Sequence, residues 1–179
     1  MYSTGTTTGI VTDSGDGVSH IVPIYEGFGI SHAISRINMA GRELTSYMTK
    51  LMTGRGHHFT TSAEREIVRD MKEKLCYVAE DFDAEKRKDP SVFETNYTLP
   101  DGRIVQLAEE RFVCPESLFQ PSMVGLTSAG IHLNVYTSIM NAEIDVRRNL
   151  FSNVVLSGGS TMFPGFHERN FGKFLLKLE

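Results

Sequence analysis

The sequence has no apolar run approaching the roughly 20 residues that cross a bilayer. Met1-Tyr2-Ser3-Thr4-Gly5 carries neither the basic nor the apolar part of a secretory leader. These absences argue against a membrane partner and set the expectation of a cytoplasmic location. Positive charge is not in excess either: 18 Lys and Arg stand against 22 Asp and Glu, a net charge of -4, which argues against a nucleic-acid partner. The only charge-dense stretch, Glu80 to Asp89, mixes both signs with Lys86-Arg87-Lys88 last, an order that suits a short helix and its dipole. Cysteine is scarce. Cys76 and Cys114 lack metal-ligand spacing and are expected to be reduced, at least partly buried thiols. With 40% hydrophobic and 22% charged residues over 179 positions, the composition is that of one large or two small globular domains.

What is present is organised around Asp13-Ser14-Gly15-Asp16-Gly17, flanked by Gly9-Ile10-Val11 and Val18-Ser19-His20. Two apolar segments around an acidic glycine turn predict a hairpin whose glycines take the positive φ values of tight turns. Glycines at 15 and 17 also let backbone N–H groups face outward as an anion cradle. Two aspartates beside a phosphate make sense only with a cation between them, which gives Asp13 the role of facing a hydrated magnesium. An ordinary hairpin turn that binds nothing accounts for the same residues.

Along the chain, strands are expected at Thr8–Thr12, Val18–Tyr25 and Ala33–Ile37, with a bend at Gly27-Phe28-Gly29. The pairs Ile10-Val11 and Ile21-Val22 predict strands covered on both faces. A helix opens at Gly41, with Leu44, Tyr47, Met48, Leu51 and Met52 as its core stripe, and stops at Gly54-Arg55-Gly56. His57 and His58 read as solvated loop residues. A second helix runs from Ser62 to Val78, started by Thr61 with Glu64 or Ser62 with Arg65, and buries Ala63, Ile67, Met71, Leu75 and Val78. On its other face Arg69 pairs with Glu73, or Lys72 and Glu73 line the base and ribose of a nucleotide. Phe93–Leu99 and Arg103–Leu107 form a hairpin around Pro100-Asp101-Gly102. Glu109–Leu118 is helical with an interruption at Cys114-Pro115, and Phe119–Leu126 is a loop of high apolar content. Helices at Ile131–Met140 and Asp145–Phe151 lead into the strand Asn153–Leu156 and the loop Ser157-Gly158-Gly159-Ser160-Thr161-Met162, where glycine allows close backbone approach.

Six stretches, DSGDGVSH, AGREL, AEREIVRDMKEKLCYVA, LPDG, FQPS and VVLSGGSTMFPG, in this order and spacing, closely resemble the actin family from Tyr2 to about Gly165. The resemblance implies an α/β fold: half of the actin/hexokinase/chaperone-type ATPase architecture, a mixed sheet with helices, incomplete at both ends. Residues 1–39 and 127–179 are then part of the large inner subdomain, and 40–126 the small subdomain inserted in it. It implies ATP with Mg2+ or Ca2+ in the complete fold. By similarity, Gly15, Asp16, Gly17 and Val18 offer amides to the terminal phosphates. Asp13 faces the metal through water, and His20 orients the attacking water. Gly41, Arg69, Lys72 and Glu73 border ribose and adenine, and Gly158, Gly159, Ser160 and Met162 close the base from the other side. Ser160 stands where the family usually has threonine. The loop Tyr25–His32 and the region Glu143–Val146 resemble lengthwise filament contacts, and Phe119–Gly130 resembles a plug with Met123 and Val124 at its apolar tip.

The departures set further expectations. The resemblance lacks the family's first half, with its opposing phosphate loop, and from Phe166 onward the sequence no longer matches, although an amphipathic turn or two fits there. An isolated chain of this kind is expected to bind ATP weakly or not at all and to have negligible ATPase activity, because charge neutralisation comes from one side only. The expected function is that of an actin-like cytoskeletal filament protein whose partners are actin subunits and actin-binding proteins. The alternatives are an actin-related, non-polymerising regulatory subunit, a non-functional truncated copy, or a sugar-kinase or chaperone relative.

Overall fold

The apolar segments on either side of the acidic glycine turn form strands β1 (Gly9–Ser14) and β2 (Ser19–Tyr25). They pair antiparallel, with Asp13 opposite His20 and Ser14 opposite Ser19. Side chains alternate across a strand. Ile10, Thr12, Ser14, Ser19 and Ile21 therefore share one face and are buried, whereas Val11, Asp13, His20 and Val22 share the other and are half-buried. Both faces of these strands are covered, one fully and the other in part. Beyond a turn at Glu26-Gly27, the expected bend contributes a short strand β3 (Phe28–Gly29) to β2, and the expected Ala33–Ile37 strand is confined to β4 (Ser35–Ile37). The computed structural model describes residues 1 and 5–175.

Helices α5 (Ile131–Asn141) and α6 (Ile144–Ser152) pack against β1 and β2. The chain then returns as β7 (Val154–Ser157), parallel to β1 with Ser157 beside Asp13. The sheet order is β3-β2-β1-β7, with β4 also on β2. This is a mixed sheet with helices, as the α/β expectation requires. Residues 1–41 and 118–162 form one compact unit, and residues 42–117 together with those from Phe163 onward form another.

In the second unit, α1 (Gly41–Gly54) buries Leu44, Met48 and Met52 fully, with Tyr47 and Leu51 half-buried. Helix α2 (Ser62–Leu75) starts with a capping box: the Thr61 hydroxyl accepts from the Glu64 N–H at 3.2 Å, and the Glu64 carboxylate accepts from the Thr61 N–H at 2.8 Å. It ends three residues before the expected Val78, and its buried positions are Val68, Met71 and Lys72, while Ala63 is exposed. The predicted stripe thus keeps Met71, with Ile67 and Leu75 half-buried, loses Ala63, and is joined by Val68 and Lys72. Arg69 pairs with Glu66 at 2.6 Å, not with Glu73.

The charge-dense stretch forms a short helix α3 (Phe82–Lys86) capped by Asp81, and β5 (Thr95–Thr98) pairs with β6 (Ile104–Leu107) across the Pro100-Asp101-Gly102 turn. Helix α4 (Glu110–Glu116) passes through Pro115 without interruption. Proline has no N–H to give to the Arg111 carbonyl one turn back, and the Tyr77 N–H donates to that carbonyl at 3.0 Å instead. An aromatic core surrounds Phe112, with the rings of Phe93, Phe82 and Tyr77 at 5.2, 5.8 and 6.0 Å. Cys76 and Cys114 are free and buried, as expected. Helix α7 (Phe166–Leu175) occupies the stretch expected to give a turn or two; residues 176–179 of that tail lie outside the described residues.

Candidate functional site

Asp13 and His20 are register partners at the turn end of the β1–β2 ladder, on its half-buried face, and Ser157 of β7 lies beside Asp13. The four-residue turn Gly15–Val18 crosses between them. Its glycines depart from the expectation of left-handed backbone: neither Gly15 nor Gly17 has a positive φ. A four-residue connection closes without the tight two-residue turn that demands it. Both glycines face open space, since a Cβ added at either would meet nothing within 4 Å. Asp16 and Gly17 are exposed, and Gly15 and Val18 half-buried.

The loop after β7 is packed against this turn from behind. Gly158 has φ +89°, and a methyl on it would lie 2.3 Å from the Ser14 carbonyl oxygen. The close approach that glycine was expected to permit is therefore made to the first loop's own backbone. Ser160 donates its hydroxyl to the Gly15 carbonyl at 2.7 Å, and the Gly41 N–H donates to the same oxygen at 2.9 Å. Gly41 is the first residue of α1, so this carbonyl accepts one of the helix-terminal N–H groups that lack an intrahelical acceptor. Gly159 faces open space, and Met162 is 78% exposed.

Asp13, Gly15, Asp16, Gly17, Val18, His20, Gly41, Gly158, Gly159, Ser160 and Met162 thus gather in one unit. Arg69, Lys72 and Glu73 sit on α2 in the other. There Arg69 and Glu73 are exposed, whereas Lys72 is buried and donates to the Thr45 hydroxyl at 3.1 Å. That unit also holds a cavity of about 470 Å³ walled by His57, His58, Leu99, Asp101 and Arg103, with none of the candidate residues in it.

Sequence reasoning missed the hydroxyls beneath the turn. The Ser14 and Ser19 hydroxyls are 2.7 Å apart, and Ser19 donates to the Met39 carbonyl at 2.7 Å; both serines are fully buried. A serine next to a glycine turn reads as solvent-facing, and only strand alternation counted inward from Ile10 and Ile21 would have marked these two as internal.

The sequence model of the family described as Actin matches residues 1–170. The chain belongs to the actin family. The match continues past Gly165 into α7, which corrects the expectation that the family likeness stops at Phe166. The actin fold is of the ATPase type and generally binds ATP and divalent cations, and the actin family suggests actin-type partners in general. Among the described residues, no helix is long and apolar enough to cross a membrane.

Proposed function

We propose that this chain supplies one wall of an actin-type ATP site and some of the contacts of a cytoskeletal filament in the cytoplasm. The observation that carries the first part is the pairing of Asp13 with His20 at the mouth of a glycine turn that is braced from behind and open in front. A carboxylate suits a hydrated Mg2+ or Ca2+, which neutralises phosphate charge when bound. Asp13 holds that cation through water, and His20, its neighbour across the ladder, orients a water molecule. The amides of Gly15, Asp16, Gly17 and Val18 take the phosphates in the open space before the turn. On the family likeness Gly158, Gly159, Ser160 and Met162 are assigned to the loop that borders the base. Gly41, Arg69, Lys72 and Glu73 are assigned to ribose and adenine on the family likeness alone. Residues 1–39 and 127–179 are assigned to the large inner subdomain, and 40–126 to the small one.

A polypeptide of these 179 residues alone carries charge-neutralising groups from one side, so its binding is weak and its ATPase activity negligible. The test is a titration of the isotopically labelled chain with ATP and magnesium, followed by backbone NMR. Shifts at Asp13–Val18 and Gly158–Met162, lost in Asp13→Asn, support the site, and shifts at Gly41, Arg69, Lys72 and Glu73 support their assignment to ribose and adenine. A chain whose spectrum ignores magnesium ATP at millimolar concentration refutes it, and a sub-millimolar affinity or steady phosphate release refutes the one-sided wall.

For the filament contacts, the His32 imidazole is 3.1 Å from the carbonyl of Asn141, which ties the Tyr25–His32 loop to the end of α5, two residues before Glu143. Tyr25 and Phe28 are exposed in the first segment and Ile144 in the second. Actin subunits and actin-binding proteins are the proposed partners, and co-sedimentation with preformed actin filaments, abolished in Phe28→Asp, checks it. A non-polymerising regulatory relative is the second reading. It is favoured by Met123 and Val124, which are half-buried rather than presented at an apolar tip.

A further inference from the structure

We infer that the Ser160 hydroxyl is a positioning group for the phosphate-facing turn, acting through the Gly15 carbonyl and not on a ligand. The inference rests on the reading of that turn as a phosphate cradle and specifies what aims its amides. Ser160 is only 5% exposed, and its hydroxyl is committed to the Gly15 carbonyl. That leaves it as an internal brace where the family likeness places it at the base.

The bond has a directional consequence. The peptide between Gly15 and Asp16 is trans and planar, so its C=O and N–H point in opposite directions. With the carbonyl held by Ser160 and by the Gly41 N–H at 2.7 and 2.9 Å, the Asp16 N–H is fixed on the side away from both donors. Neither donor is on the turn itself. A Cβ added at Gly15 or Gly17 would meet nothing within 4 Å, and the two bonds to the Gly15 carbonyl hold the plane of the Gly15–Asp16 peptide.

The same bond ties the two glycine loops into one body. Ser157 is in register with Asp13, Gly158 rests on Ser14, and Ser160 holds Gly15, three successive contacts between loops far apart in sequence. A displacement of the 158–162 loop is transmitted to the 15–18 amides. Threonine keeps the hydroxyl and therefore the brace; alanine removes it and leaves the Gly41 bond alone.

The test is 15N relaxation on the nucleotide-free chain. In the unsubstituted chain the Asp16 and Gly17 N–H vectors are rigid, with order parameters near 0.85. In Ser160→Ala they fall toward 0.6 or below, roughly the boundary of flexible backbone, while Val11 and Val22 in β1 and β2 keep their values. Ser160→Thr restores rigidity. Unchanged order parameters in Ser160→Ala, loosening that spreads equally to Val11 and Val22, or failure of Ser160→Thr to restore them overturns the inference. A second arm titrates magnesium ATP: Ser160→Ala weakens the response of Gly17 and Val18 about threefold to tenfold, the equivalent of one neutral hydrogen bond, and Ser160→Thr does not. A chain that loosens at Asp16 in Ser160→Ala, recovers in Ser160→Thr and is silent to magnesium ATP removes the nucleotide reading and leaves the brace standing.

Discussion

Gly158 stands against Ser14 so closely that a Cβ on it would be 2.3 Å from the Ser14 carbonyl oxygen and 2.9 Å from the Gly15 nitrogen. Both neighbours are backbone, which has no rotamer to escape into. The Gly158 backbone at φ +89°, ψ 151° also belongs to a region that only glycine enters readily. Gly158→Ala is therefore expected to lower stability by about 3 kcal/mol or more, strain and overlap together. Urea unfolding followed by circular dichroism measures it, and a loss within about 0.5 kcal/mol, as at an unconstrained surface position, rules the contact out as a constraint.

Arg169 on α7 donates to the Glu116 carboxylate at 2.6 Å and to the Glu80 carbonyl at 2.7 Å, with 8% of its side chain and none of that of Glu116 exposed. Removing one partner of a buried pair strands the other charge. Arg169→Met is expected to destabilise the chain by about 3–5 kcal/mol, and adding Glu116→Gln should recover much of that loss. Denaturant midpoints of the single and double variants settle the point. Equal losses in both would mean that packing, not charge, decides.

At the start of α2 the Glu64 carboxylate accepts the Thr61 and Thr60 backbone N–H groups, which hold its pKa below the usual carboxylate range. A group whose pKa is lowered by folding contributes stability above its unfolded value, about 4.3 for Glu, and loses it as pH falls through the folded value. The cap should thus weaken in acid, and Glu64→Gln should show no such acid component in its melting temperature between pH 6 and about 3. Thr61→Ala should lower stability by about 1 kcal/mol at neutral pH.

Cys114 is fully buried, and burial first, then the neighbouring Cys76, pushes its thiol pKa up. The thiolate is the reactive form. Both cysteines should react with an aqueous disulfide reagent only as fast as the chain unfolds, so the labelling rate should rise with urea. Rapid labelling of either thiol in the native chain would show that these sites open locally.

Much of the architecture was legible because its causes are local. The acidic glycine turn between apolar runs fixes a hairpin, and a hairpin of that length places Asp13 opposite His20 without help from the rest of the chain. Thr61 and Glu64 fix a helix start in the same way, and Pro100-Asp101-Gly102 fixes the second hairpin. Helix α2 shows where that legibility ends. Its periodicity favoured Ala63, which is exposed, and carried the helix to Val78, which is buried but lies beyond its end; the inward side is set by what packs against it, and Lys72 is buried where a pattern of apolar residues does not look for it. Pro115 is similar. Its missing N–H marks an interruption by local rules, and only the arrival of Tyr77 at the Arg111 carbonyl removes the need for one.

At the candidate site the same division holds. Residue types and spacing alone determined the turn, its carboxylate and histidine, and the glycines that keep its front open, since each depends on neighbours a few positions away. The tertiary structure decided that Gly158 and Ser160 spend their proximity on Ser14 and Gly15, because that contact requires β7 to return parallel to β1 from the far end of the chain. Such a return is a property of which sheet edge a strand joins, and no local pattern encodes it.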